Sequence, residues 1–578
     1  MAPSPEHPRL SRRLSRDAII VWLITLLGLI PIFAVQHMPS QDGPAHIYIA
    51  QMLRLFNDPF TPLISRYFEL NSGVHPNLFI YMAAQPLLSI LSPAMAEKIL
   101  AAAYVLLIPV ATLSLATAAR RSITLTYLAL WPMLFGFMFF FGFYNYCFAL
   151  LLAIIGVACW LWMRRTQGAA PVAALCATSF AAYFVHLFPL ANMMLFIGAG
   201  ALIDTWRMVA RKTDHESRLA ALKLNFVRML ARPALALTPA LIMVLIFIAN
   251  RAGSETSYHT DKGAYSYGLT ERFTHLSMLS FNISYGPWDA LLSIAMMVIG
   301  VTAFMMRDRN QSLPTPAATP PPFAALVIIF LIVYWTIPGT ISGHTFVLDR
   351  ILPVLYLSFV LWLIHVNLTK RQIKVLVGGL TVLGIALPLF RAYQTVALDH
   401  FMRPFYAVSK HLAPNRTLLA VRGAYHRSNA ALWRPYYRVN VPVHASTALA
   451  AKVGLIDLKV VQANSSVVPL KYRGGVNPYR YLPASLATYP AVEPIRIYEN
   501  FRLETALPPL DIEGYRERTG GEVDYLLVWG PSAGYETSLQ GRIFRESIDK
   551  FFDPIPLDEG SERVRLFRRK GLNVSTAP

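Results

Sequence analysis

Charge is scarce in this chain. Asp, Glu, Lys and Arg make up 15% of it and hydrophobic residues 55%, against roughly 25% charged in a soluble domain. Apolar runs near the ~20 residues that cross a bilayer core recur from residue 17 to residue 391. No soluble fold buries them all, so a purely soluble protein is excluded. Cysteine is nearly absent: Cys147, Cys159 and Cys176 all lie in apolar runs, and the hydrophilic tail has none. That excludes a disulfide framework for the tail and fits a bacterial inner membrane. No solenoid-length repeat is present, and no aromatic-rich RNA motif or zinc-ligand spacing occurs.

What charge there is has one dominant sign. Lys and Arg outnumber Asp and Glu by 52 to 32, for a formal net charge of +20. Much of the excess falls in short loops between apolar runs, which is the positive-inside pattern of membrane topology and not a nucleic-acid footprint. Membrane lipids are the expected surroundings, with no nucleic-acid partner. Residues 1–16 carry Arg9, Arg12, Arg13 and Arg16 and form a basic cytoplasmic N-terminus. The run after them is longer than a signal-peptide core and has no small-residue cleavage site, so it is read as a retained helix.

Threading the chain on this rule places the first span at 17–35. The polar segment MPSQDGPAHIYIAQMLRLFNDPF follows, with a short interfacial helix opened by Pro44 and running to Phe56. Residues 76–92 are apolar but short. If they crossed, Arg120 and Arg121 after the next run would lie outside, so they are assigned to a juxtamembrane helix. Further spans are expected at 97–117, twice within 122–163, at 171–188, 189–206 and 233–250, and as a return after the outer loop 251–287. A proline-rich linker at 314–322 precedes two spans flanking GTISGHTFVLDR, and a last one covers 375–390. The expected fold is an α-helical polytopic membrane protein of about eleven transmembrane helices plus juxtamembrane helices. Its membrane domain is 17–391 with a first outer loop at 36–96, and a C-terminal extracytoplasmic α/β domain occupies 392–578. In that tail HFMRPFYAVSKHL reads as amphipathic, TLLAVRG, VDYLLVWG and SERVRLFRR as strands, and 540–552 as a helix.

Outward-facing polar groups are the candidates for chemistry. Asp42 in QDGPAH can act as a general base, or can cap the helix that Pro44 opens. His46 follows by four residues and can share its face. Tyr144 and Asn145 in FGFYNYC bring hydrogen-bonding groups to interface depth, although an aromatic-belt role also accounts for Tyr144. His75 in GVHPNLF, His186 in AAYFVHLF and His344 in GHTFVLDRILP are further substrate-binding candidates, with no spacing that builds a metal site. Arg350 of DRILP is an outer-side arginine. It suits a phosphate, which it can hold bidentately, or else it snorkels or pairs with Asp349.

With these residues in place the chain resembles the GT-C superfamily of polyprenyl-phosphate-dependent glycosyltransferases, which includes protein O-mannosyltransferases and aminoarabinose transferases. An early acidic residue in the first outer loop (Asp42), juxtamembrane helices after it, and a many-span domain ending in a folded outer domain carry the resemblance. The resemblance implies transfer of a sugar from a polyprenyl-phosphate donor to a hydroxyl of a lipid, glycan or protein acceptor, with inversion. In it Asp42 is the base and Arg350 stabilises the leaving phosphate. Many relatives have two adjacent acidic residues where this chain has Asp42–Gly43. A second carboxylate then has to come from Asp58, Glu69 or Glu97, and a divalent metal is a possible but unassigned cofactor. A transporter or flippase, or a non-catalytic cell-envelope assembly protein on the same fold, are the alternatives.

Overall fold

The computed structural model describes residues 11–71, 73, 75–210, 226–252, 268–279, 281–284, 287–305, 322–339, 346–366, 368–422, 438–439, 441–464, 468–482, 511–529, 539–557 and 564–572. His344, nearly all of the 314–322 linker, and residues 253–267, 280, 285 and 286 of the outer loop lie outside these residues.

Local sequence sets the helix boundaries. The chain opens with α1 (Ser11–Leu27), a short turn α2 (Ile30–Phe33), and α3 (Gly43–Arg54), which has Pro44 in its first turn. Next come α4 (Pro62–Tyr67), β1 (Phe68–Leu70) and α5 (Phe79–Leu88). The ten residues of α5 give a rod of about 15 Å, half the thickness of a bilayer core, as expected of a juxtamembrane element. Helix α6 (Pro93–Ala119) begins with Ser92 accepting from Met95 N–H and Pro93 in the first turn, a strong N-terminal signal. Then follow α7 (Ile123–Leu134), α8 (Phe137–Phe141), α9 (Tyr144–Met163), α10 (Ala170–Val185), α11 (Leu187–Ala210), α12 (Arg232–Ala252), α13 (Leu269–Thr274), α14 (Pro287–Met305), α15 (Phe323–Thr336) and α16 (Val347–His365). Helix α17 (Lys370–Ala407) starts with a capping box between Thr369 and Gln372.

Seven described helices are long and apolar enough to cross a membrane. Shorter apolar helices at Asp17–Phe33, Ala170–Val185, Pro287–Thr302 and Phe323–Thr336 fall where the sequence places the other four spans. The Tyr144–Met163 helix buries 83% of its apolar window and the Met229–Asn250 helix 17%. The first is therefore a bundle centre and the second its periphery. The domain boundary differs from expectation: α17 runs 38 residues, with Pro388 and Pro404 inside it, through position 391, so HFMRPFYA continues the helix of the last span.

The tail folds as an α/β unit, with β2 (Thr417–Arg422), α18 (Ala445–Val453), β3 (Ile456–Asp457), β4 (Leu470–Tyr472), α19 (Pro478–Tyr481), α20 (Ile512–Thr519), β5 (Tyr525–Trp529), α21 (Leu539–Phe551), β6 (Phe552–Ile555) and β7 (Val564–Arg569). The sheet order is β3-β2-β5-β7-β6. Strands β3, β2 and β5 are parallel, and β7 is antiparallel to both β5 and β6. All five residues of β5 are buried, the continuous apolar pattern of a central strand.

The sequence reading kept the first outer loop and the tail apart, but the structure joins them. Strand β1 pairs with β4, setting Phe68 opposite Tyr472, and the two rings stack at 4.8 Å. Tyr48 OH donates to Leu455 O at 3.1 Å and accepts from Asp457 N–H at 3.0 Å. Tyr67 OH accepts from Glu522 N–H, and Asn415 donates to Phe60 O. The loop is thereby a layer of the C-terminal domain, held against the end of the bundle.

Candidate active site

The segment Ser40–Gly43 lies against the turn between α8 and α9. The backbone N–H groups of Gln41 and Asp42 both donate to Phe141 O, at 3.1 and 2.9 Å. Gly142 makes this approach possible. Its φ of +90° suits glycine, and a β-carbon there would collide with Gly43 N. Gly43 is equally constrained, since a β-carbon on it would overlap Glu97 Oε1 and Ser40 Oγ.

Asp42 stands at the N-cap position of α3, but its side chain makes no capping bond. The carboxylate turns instead toward the C-terminal domain and α16. Its Oδ1 is 3.6 Å from His444 Nε2, and its side chain is 16% exposed. Burial pushes the Asp42 carboxyl up to about 7; the nearby Arg350 charge and a Gln41 hydrogen bond act the other way. His46 hydrogen-bonds Tyr81 OH through Nδ1 at 2.9 Å. Burial lowers His46 to about 4 and, with Lys459 and His46 adding to the effect, lowers His444 to about 3. Both imidazoles are neutral at physiological pH, so the cation acting on Asp42 is Arg350.

Arg350 sits in the first turn of α16 and is buried. Its carbonyl accepts from Tyr146 OH and from Asn192, both at 2.9 Å. Phe346, just before the helix, holds a left-handed φ of +61° and packs on Phe137, Phe141 and Phe143. The guanidinium lies between the rings of Phe143 and Phe188, 5.1 and 4.9 Å from their centres. It has no hydrogen-bonded protein partner among the described residues, and its Nε is buried and unpaired. The neighbouring carboxylate is committed elsewhere. Asp349 pairs with Arg438 of the C-terminal domain and lies 3.8 Å from His275. Pairing of Arg350 with Asp349 is thus not what the structure holds.

The other sequence candidates divide. Tyr144 is fully buried and donates to Glu97 Oε1 at 2.8 Å, so it is no aromatic-belt residue. Asn145 is not free for substrate: Oδ1 accepts from Ile80 N–H at 2.9 Å and Nδ2 donates to Asn77 O at 3.0 Å, fixing the start of α5. His75 bonds Asn71 O at 3.0 Å. His186 breaks the chain between α10 and α11, accepts from Phe188 N–H at 3.1 Å and meets Tyr146 edge-on, so it supports the wall around Arg350. His344 is outside the described residues. Of the carboxylate candidates, Asp58 accepts from the exposed Phe60 N–H and Glu69 pairs with Lys471. Glu97 alone of the three reaches the Asp42 loop.

Tyr81, Tyr146, His444 and Arg438 escaped the sequence reading. Tyr81 lies four residues beyond Asn77 in HPNLFIYMAAQPLL. His444 and Arg438 come from the tail, where nothing local marks them. Among the described residues no group of three or more His, Cys, Asp or Glu is placed to hold a metal. Glu97 Oε1 accepts from Ser40 and Tyr144.

No protein-family model matches the chain, and no curated protein matches it by sequence. By structure it is similar to ArnT from Cupriavidus metallidurans in the apo state, with a TM-score of 0.47, 12% identity, and coverage of 96% of this chain and 98% of that one. It is also similar to the archaeal oligosaccharyltransferase AglB from Archaeoglobus fulgidus, in complex with an inhibitory peptide and a dolichol-phosphate. There the TM-score is 0.30, the identity 11%, and coverage 94% and 73%. Superpositions this loose transfer neither a residue role nor a substrate.

Proposed function

We propose that the protein is a membrane glycosyltransferase that moves a sugar from a polyprenyl-phosphate donor to an acceptor hydroxyl. The observation that carries this reading is the juxtaposition of Asp42 with Arg350: a carboxyl that burial pushes up to about 7, within electrostatic reach of a buried guanidinium whose Nε has no hydrogen-bond partner among the described residues. A base and a buried arginine at the end of the bundle that meets the C-terminal domain are what displacement at a phosphorylated sugar requires.

In the proposed step the acceptor O–H gives its proton to Asp42 as its oxygen bonds to the anomeric carbon. The bond from that carbon to the phosphate oxygen breaks, and its electron pair stays on the phosphate beside Arg350. A single displacement inverts the anomeric centre. Phosphate is a competent leaving group, so no strong general acid is needed. Neutral His46 and His444 leave the Asp42–Arg350 field undiluted by further cations. The donor's lipid reaches the site laterally, and the acceptor, a lipid, glycan or protein, approaches beneath the C-terminal domain. The N-terminus is cytoplasmic and the C-terminal domain extracytoplasmic, in a bacterial inner membrane.

The test is transfer by purified protein from a panel of radiolabelled polyprenyl-phosphate sugars, with membrane extract supplying acceptors. Product formation that collapses in Asp42→Asn supports the reading. No donor consumed by wild type overturns it in favour of a transporter or assembly protein.

A further inference from the structure

The first turn of α16 carries two opposite charges in succession, Asp349 and Arg350, both buried. Consecutive side chains on a helix point about 100° apart and do not face each other, and these two turn to different surroundings. The Arg350 guanidinium stands between the rings of Phe143 and Phe188. Asp349 Oδ1 accepts from Arg438 of the C-terminal domain and lies 3.8 Å from His275 Nδ1.

Different surroundings do not make the two charges independent. Asp349 and Asp42 both act electrostatically on Arg350, where burial leaves little water to screen them. Two carboxylates against one guanidinium would make this region net negative and repel an anionic ligand. Arg438 cancels one of the two.

More than the ion pair holds Arg438 in place. Its Nη1 donates to Asn282 O at 3.1 Å, and its guanidinium carbon is 3.7 Å from the centre of the Phe137 ring. Phe137 packs in turn on Phe346, the residue that leads into α16. The segment carrying Asn282 is itself fixed to the bundle. Arg391 donates to Phe281 O at 2.9 Å, and Asp289 accepts from Ser284 N–H at 3.1 Å. Arg438 thus meets α8, the end of the outer loop and α16 together.

We infer that Arg438 is a positioning residue for donor binding: by neutralising Asp349 it leaves the charge of Arg350 to the donor phosphate. Docking of the C-terminal domain then sets the affinity of the bundle for its donor, and by linkage the bound donor tightens docking by the same factor. This inference rests on the reading of Arg350 as the phosphate-binding residue.

The test is equilibrium binding of decaprenyl phosphate to the full chain in mild detergent. Arg438→Met leaves Asp349 uncompensated and is expected to bind about tenfold or more weakly than wild type. Asp349→Asn removes the opposing charge with Arg438 still in place and is expected to bind more tightly than wild type. The double variant Asp349→Asn/Arg438→Met should return to near the wild-type value. A merely structural contact predicts the opposite sign for Asp349→Asn, because breaking it loosens the site. Weaker binding in Asp349→Asn, or wild-type affinity in Arg438→Met, overturns the inference. Arg350→Met tells this failure from that of the underlying reading. Affinity lost there but kept in Arg438→Met sinks only the role of Arg438. Affinity unchanged there, or no binding by wild type, removes Arg350 from the phosphate and this inference with it.

Discussion

Glu97 fills the space that a side chain at position 43 would occupy. Its Oε1 sits where a β-carbon on Gly43 would fall, held there by Ser40 at 2.5 Å and Tyr144 at 2.8 Å. An acidic residue directly after Asp42 has no room, and the second carboxyl of this region arrives from α6 instead. Glycine at 43 is thus matched to a glutamate more than fifty positions away.

Gly43→Ala is expected to displace the Asp42 loop, because Glu97 and Ser40 are both buried and bonded. Overpacking of this kind costs about 1–3 kcal/mol. Thermal unfolding should show the loss, and Gly43→Ala/Glu97→Ala should recover part of it by vacating the space. An additive double variant would contradict the relationship.

Asp42→Asn is expected to reduce transfer by about 10²–10⁴-fold, the usual share of a general base. In wild type the base is ionised above its pKa, so transfer should rise with pH through a midpoint near 7 and fall away below it. Stability follows the opposite sense. A carboxyl raised from 3.8 to about 7 in the folded state costs stability progressively as pH climbs between those values. Asp42→Asn should therefore gain in melting temperature over wild type as pH rises across that window.

Arg350→Lys keeps the charge but loses the planar fork held between Phe143 and Phe188. Donor affinity should weaken about tenfold or more, measured by equilibrium binding of a polyprenyl phosphate. Unchanged affinity would remove Arg350 from the anion site.

Arg391 and Asp289 form a fully buried pair at 2.6 Å joining α17 to α14. Gln394 also donates to Asp289, at 3.1 Å. Arg391→Ala leaves a buried carboxylate without its cation and should cost about 3–5 kcal/mol. Chemical unfolding in detergent would read this as a lower midpoint with Asp42-dependent transfer unchanged per folded molecule.

A cysteine introduced after Arg121 in a background free of the native cysteines should resist impermeant thiol reagents added from outside. That outcome follows if α5 does not cross and Arg120 and Arg121 lie in the cytoplasm. Ready labelling would invert the topology of every later span.

Membrane class, the helical spans and the strand segments of the tail were legible in the sequence because each rests on a local signal. Apolar length marks α6 and α9, Pro44 marks the start of α3, and the unbroken apolar run of VDYLLVWG marks β5. The candidacy of Asp42 and Arg350 was legible too, since a charge at the outer end of a span needs a reason. What local signals do not carry is pairing between distant segments. Only the tertiary structure decided that Asp349 belongs to Arg438 and not to Arg350, or that Asn145 is spent on the α5 backbone. It alone placed Glu97 in the space beside Gly43 and brought His444 up to Asp42. These are packing outcomes, set by which side chains fill one another's space and which donors find acceptors across hundreds of residues, and no run of neighbours in the chain encodes them.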